Sequence, residues 1–114
     1  MSERYRVVRS YESPYTEPLA IHKGERLRWE PWECEWPGWI WCTTEAGESR
    51  WVPESWVEKE GEYYVLQRDY TATELDVEQG ETVTVESEES GWGWATNESG
   101  GSGWVPLEHL ALLA

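Results

Sequence analysis

The chain has 114 residues, with 23 acids against 9 bases and a formal net charge of −14. That balance excludes the basic footprint on which nucleic-acid binding rests. No run approaches the roughly 18 uncharged apolar residues that a membrane-spanning helix needs, and 10 tryptophans with 6 tyrosines are too many aromatics for a disordered acidic chain.

In chain order, the opening Met1-Ser2-Glu3-Arg4-Tyr5 lacks the apolar centre of an export signal, so a cytoplasmic protein is expected. Leu19 and Ile21, then Leu27 and Trp29, alternate with a period of two around a Lys-Gly-Glu turn and predict two strands. Residues 45–48 predict a tight hairpin tip. Val77, Val83 and Val85 repeat the strand pattern around Gly80, and residues 98–101 predict a second tip. Helical spacing is confined to a single turn at Pro106-Leu107-Glu108-His109-Leu110. Short strands with regular turns predict a small all-β barrel.

The chain is a repeat. Residues 38–53 read GWIWCTTEAGESRWVP and residues 91–106 read GWGWATNESGGSGWVP, with 10 of 16 positions identical at an offset of 53. Leu19–Leu27 aligns with Leu75–Val83 at an offset of 56, and Arg9-Ser10-Tyr11 with Arg68-Asp69-Tyr70 at 59. Each drop of three shortens a connection in the second copy. Two domains are expected, 1–58 and 62–114, joined by the short charged stretch Glu58-Lys59-Glu60-Gly61-Glu62 and therefore held close. Predicted core positions are Val7, Leu19, Ile21, Leu27, Ile40, Cys42, Val52 and Val57 in copy one, and Leu66, Leu75, Val77, Val83, Ala95, Val105 and Leu110 in copy two. Gly93 stands where copy one has Ile40, which predicts room in the second core or close approach by another surface.

Each copy resembles an SH3 domain. Copy one offers Val7-Val8-Arg9-Ser10-Tyr11 for the ALYDY-like strand, Leu19 to Glu25 for the following turn, Gly38-Trp39 for the GWW strand, and Trp51-Val52-Pro53-Glu54-Ser55-Trp56-Val57 for the closing segment. Copy two offers Leu66 to Tyr70, Glu74 to Glu81, Gly91-Trp92 and Gly103 to Leu110 in the same order. The resemblance implies two five-stranded SH3-like barrels in tandem, closely packed. It also implies a protein or peptide partner, since SH3 domains dock extended Pro-rich segments in a shallow aromatic groove. The groove residues carried over are Tyr11, Trp39, Pro53 and Trp56 in copy one and Tyr70, Trp92, Pro106 and His109 in copy two. The family's first ALYDY tyrosine falls on Arg9 and Arg68, which removes one wall of the usual pocket in both copies. Glu12, Glu17, Glu33, Glu35, Glu88 and Glu89 lie where specificity acids lie; they form either a solvated acidic face or a receptor for a basic residue of the peptide.

Strand alternation pairs Trp41 with Trp51 and Trp94 with Trp104 across their hairpins, outside the groove. Such rings leave an apolar patch, and at least one pair is expected to be covered by the other copy. Trp32 and Trp36, in a loop that copy two lacks, are candidates to plug the same interface or to extend the Trp39 groove. Residues 1–60 hold 8 bases and 12 acids, net −4; residues 61–114 hold 1 base and 11 acids, net −10. A basic partner, or solubility alone, accounts for that field.

No nucleophile elbow, catalytic triad or phosphate loop is present, and the chain reads as a non-enzyme. Cys34 and Cys42 form no disulfide framework and read as reduced thiols. Neither they nor His22 and His109 have metal-ligand spacing, so no metal or cofactor is expected. The leading reading is a peptide-binding module for Pro- or basic-rich segments, with neither nucleic acid nor membrane as partner. A carbohydrate or cell-wall binder and a structural subunit with an aromatic assembly surface remain as alternatives. Partner identity and oligomeric state are left open by the sequence.

Overall fold

The computed structural model describes residues 2–15, 19–30 and 37–113. The expectations placed on Glu17, Trp32, Glu33, Cys34, Glu35 and Trp36 lie outside the described residues.

The chain forms strands where alternation predicted them around Gly24 and at Val83 and Val85, whereas Val77 makes only an isolated bridge to Tyr11. β1 is Glu3–Val7, β2 Ala20–Ile21, β3 Arg26–Glu30, β4 Trp39–Thr43 and β5 Ser49–Pro53. A one-turn 3-10 helix, Glu54–Trp56, leads into β6, Val57–Glu60. Then come β7 Tyr63–Leu66, β8 Tyr70–Thr71, β9 Thr82–Glu89, β10 Trp92–Asn97 and β11 Ser102–Pro106. A second 3-10 turn, Leu107–His109, precedes β12, Leu110–Leu112. Both one-turn helices follow a proline, Pro53 or Pro106, whose ring fixes φ near −60° (−59° and −61°) just where the chain leaves its strand. The two expected hairpin tips turn alike: Gly47 N–H bonds Thr44 O at 2.9 Å, and Gly100 N–H bonds Asn97 O at 3.1 Å. Each glycine sits at φ +90°, a region that side chains disfavour.

The strands assemble into two five-stranded sheets, ordered β11-β10-β9-β1-β12 and β5-β4-β3-β7-β6, and β2 pairs with β8. These orders cut across the repeat. β1, the first strand of copy one, lies antiparallel between β9 and β12 of copy two, with Tyr5 opposite Val83 on one side and Leu112 on the other. β7, the first strand of copy two, lies between β3 and β6 of copy one, with Leu27 opposite Tyr64 and Val57 opposite Leu66. The two copies have exchanged their first strands within one chain. The compact units are accordingly residues 1–18 with 73–114, hereafter unit 1, and residues 19–72, unit 2. The boundary expected between 58 and 62 is not the boundary between the units.

The physical cause is the length of the join. Only Gly61 and Glu62 separate β6 from β7, and Gly61 takes φ +65°, as the first position of a two-residue hairpin loop requires. Two residues let the chain do nothing but fold back, so β7 pairs along β6 from Glu60↔Tyr63 to Val57↔Leu66. That fills the place β1 would take in copy one. β1 then occupies the equivalent place in copy two, where Val7 pairs with Leu110 just as Leu66 pairs with Val57.

The core of unit 1 is Val7, Leu75, Val77, Val83, Val85, Ala95, Val105 and Leu110, with Tyr5, Tyr11 and Leu107 packed against it. Unit 2 buries Leu19, Ile21, Leu27, Cys42, Val52 and Leu66. The predicted core is therefore buried, but Val7 and Leu66 serve the opposite copy. Ile40 and Val57 are only half-buried. Of the two expectations for Gly93, close approach holds and room does not: a Cβ there would lie 3.0 Å from both Leu107 Cδ2 and Val85 Cγ1, which already fill the space.

Candidate functional site

Each unit gathers aromatic rings beside its 3-10 turn. In unit 1, Trp92 begins β10 opposite Pro106, the last residue of β11. Tyr11 enters from the segment after β1, held by reciprocal backbone bonds of 2.9 Å with Val77. Its ring meets Trp92 edge to face at 5.6 Å and His109 at 5.5 Å, the arrangement that ring quadrupoles favour. His109 Nδ1 lies 3.1 Å from Arg9 O and 3.2 Å from Ser10 O. Both oxygens only accept, so Nδ1 carries the proton and the ring is fixed as a wall of the cluster. The Tyr11 hydroxyl donates to the Glu74 carboxylate. Burial, with that bond second, holds the phenol protonated well above its ordinary range.

In unit 2, Trp39 opposes Pro53 across β4 and β5. Tyr70 on β8 meets Trp56 edge to face at 5.5 Å, and its hydroxyl donates to Trp51 O at 2.9 Å. The rings match those of unit 1 one for one. The groupings expected from the copies are thereby corrected: Tyr11 joins Trp92, Pro106 and His109, and Tyr70 joins Trp39, Pro53 and Trp56. Strand exchange carries each tyrosine into the other copy's groove. Pro53 and Pro106 are fully buried, and Trp39 and Trp92 are 9% and 8% exposed, so the outer surface of each cluster belongs to Trp56 or to Tyr11 and His109.

The acids divide. Glu12 lines an open cleft of ≈ 670 Å³ beside Tyr11, together with Asp76, Glu78 and Glu81. Glu88 lines a different cleft with Glu3 and Tyr5, and Glu89 is half-buried opposite Trp92. The tryptophan pairs form as expected, with Trp41 and Trp51 at 5.1 Å and Trp94 and Trp104 at 5.5 Å. Trp104 is not an outward ring, however. It is 4% exposed, and its backbone is bonded on both sides, N–H to Thr73 O and O to Leu75 N–H, each at 3.0 Å.

The doubled arginine acquires a structural meaning that the sequence reading missed. Arg68 Cζ lies 3.9 Å from the Trp56 ring centroid, over its face. Its counterpart Arg9 instead reaches Glu108, Nη2 to Oε1 at 3.3 Å.

A family model described as the variant SH3 domain matches residues 4–60 and, again, residues 63–113. The chain belongs to this family. Both SH3 matches follow the sequence copies, whereas each folded SH3 unit draws its first strand from the other copy. No curated protein and no solved structure matches the chain. SH3 domains are in general protein-interaction modules, and the all-β architecture with two such units accords with that class. Among the described residues there is no helix long and apolar enough to cross a membrane and no His/Cys/Asp/Glu group suited to a metal ion.

Proposed function

We propose that the protein is a non-catalytic interaction module that takes up extended, Pro-rich peptide segments at two aromatic grooves, one per unit. The observation that supports this most is the duplicated ring cluster: Tyr11 with Trp92 and His109, and Tyr70 with Trp56, at 5.5–5.6 Å and near-perpendicular angles. A polyproline segment has no internal hydrogen bonds to surrender, and its ridges fit between such rings. In unit 1 the carboxylates of Glu12, Asp76 and Glu78 beside Tyr11 favour a basic residue next to the prolines. Two sites on one chain give a partner with two such segments an avidity gain.

The test is a titration of ¹⁵N-labelled protein with a Pro-rich peptide carrying one arginine. Shifts of the Trp92 indole and of the Tyr11 and His109 amides are expected, with an affinity of roughly micromolar order. Shifts confined to the Trp41 and Trp51 pair, or none at all, would refute the groove assignment.

A further inference from the structure

Resting on that reading, we infer that the groove of unit 2 selects a carboxylate in its peptide, received by Arg68 stacked on Trp56. The two grooves are built by the same backbone. Gln67 N–H bonds Trp56 O at 2.8 Å in unit 2, and Val8 N–H bonds His109 O at 2.8 Å in unit 1. This bond brings the next residue, Arg68 or Arg9, alongside the 3-10 turn where the family places an aromatic wall. From there the two arginines diverge, and one position explains why. Glu108, one residue before His109, takes the Arg9 guanidinium at 3.3 Å. At the matching place before Trp56 the chain has Ser55, which offers no charge. Arg68 settles on the Trp56 ring at 3.9 Å instead, and among the described residues no carboxylate pairs with it.

Compared with Arg26, whose guanidinium lies 6.0 Å from the Tyr63 centroid, Arg68 sits directly on its ring at 3.9 Å. Its nearest acid in sequence, Asp69, is engaged elsewhere, accepting the Lys23 N–H at 2.8 Å. Arg68 is exposed, and a guanidinium laid flat on the indole keeps its in-plane N–H donors for a ligand. That fork fits a carboxylate bidentately. The ring beneath limits the rotamers the side chain must give up on binding. The wider field agrees. Unit 2 holds 6 bases against 11 acids, and unit 1 holds 3 against 12, so unit 2 repels an acidic peptide less. Strand exchange is essential to the site: Arg68 belongs to copy two, and Trp56 with its uncharged neighbour Ser55 to copy one.

The carboxylate can come from a Glu or Asp side chain or from the end of a peptide chain, and the experiment separates these. Three short Pro-rich peptides are titrated against the whole chain, read at the Trp39 and Trp56 indole signals. One has an internal Glu and an amidated end, one has Gln in its place, and one has Ala there with a free C-terminal carboxylate. The Glu peptide is expected to bind roughly three- to tenfold more tightly than the Gln peptide. R68Q should erase that ratio. S55E should also erase it, by giving Arg68 the internal partner that Arg9 has. The free-end peptide matching the Glu peptide would assign the receptor to chain termini, and matching the Gln peptide would assign it to side chains; either result upholds carboxylate selection. Equal binding of the Glu and Gln peptides, or a preference that survives R68Q, overturns this inference alone. Failure of every peptide to move Trp39 or Trp56 overturns the unit 2 groove itself, and the inference with it.

Discussion

Leu66 belongs by sequence to copy two, yet it is 1% exposed inside unit 2, paired with Val57, and its backbone bonds Glu25 O at 3.0 Å and Gly24 N–H at 2.7 Å. Leu66→Ala removes a fully buried side chain and leaves a cavity, which costs about 3 kcal/mol within the usual range of about 2–5 kcal/mol for such changes. At about 1.4 kcal/mol per factor of ten, amides that exchange through opening of unit 2 should exchange roughly a hundredfold faster. Native-state hydrogen exchange reads this residue by residue. The acceleration should fall on Leu27, Cys42 and Val52, all within unit 2, and spare Val83, Ala95 and Val105 of unit 1. Val7→Ala should do the reverse at about 2 kcal/mol, because Val7 is fully buried in the unit 1 core. Greater acceleration in β9–β11 than in β3–β5 on Leu66→Ala would refute the exchange of first strands.

Three further outcomes follow from the geometry. Gly103→Ala puts a Cβ 2.7 Å from the backbone of Glu74 and Leu75, which cannot move without breaking the bonds to Trp104, so the urea midpoint should fall by the equivalent of about 1–3 kcal/mol. An unchanged midpoint would contradict the close approach. Burial pushes the Cys42 thiol up to about 12 from an ordinary 9.0. Below pH 9 the thiol is protonated in both folded and unfolded chains and its contribution is complete; between about 9 and 12 only the unfolded thiol ionises, so stability falls as pH rises. Cys42→Ala, which copies Ala95, should remove that part of the slope in urea titrations at pH 8 to 10.5, and an identical slope in the variant would count against it. Finally, a flexible insert of about ten Gly/Ser residues between Gly61 and Glu62 removes the constraint that folds β7 onto β6. Ring contacts of the unexchanged type, Tyr11 with Trp39 and Trp56, should then appear, and their complete absence would mean that something other than the join dictates the exchange.

Much of this molecule is legible in its sequence because the patterns are local. Alternation around Gly24 and Gly80 located strands, the repeated hairpins put Trp41 opposite Trp51 and Trp94 opposite Trp104, and helical spacing marked the 3-10 turn after Pro106, though not the one after Pro53. The rings of the grooves were also recognisable one by one. Their grouping was not, because β1 and β7 carry similar patterns and alternation does not say which sheet receives a strand. The signal was present nonetheless: Val57 to Glu60 and Tyr63 to Leu66, two residues apart with a glycine first, have the spacing of a hairpin. Reading that stretch as a linker between domains hid it. Gly93 was legible only as a choice between room and close approach. A missing side chain was filled from a neighbouring turn by Leu107, which no strand pattern reports. The role of Arg68 depended on the exchange, since Trp56 comes within its reach only then.

The most direct test of the composite grooves is a ring-to-ring nuclear Overhauser measurement on the dilute, unmodified chain, with assigned aromatic signals. Cross-peaks are expected from Tyr11 to Trp92 and His109, and from Tyr70 to Trp56. Cross-peaks from Tyr11 to Trp39 or Trp56, with Tyr70 seen beside Trp92 and His109, would show that each copy closes on its own first strand and would contradict the exchange.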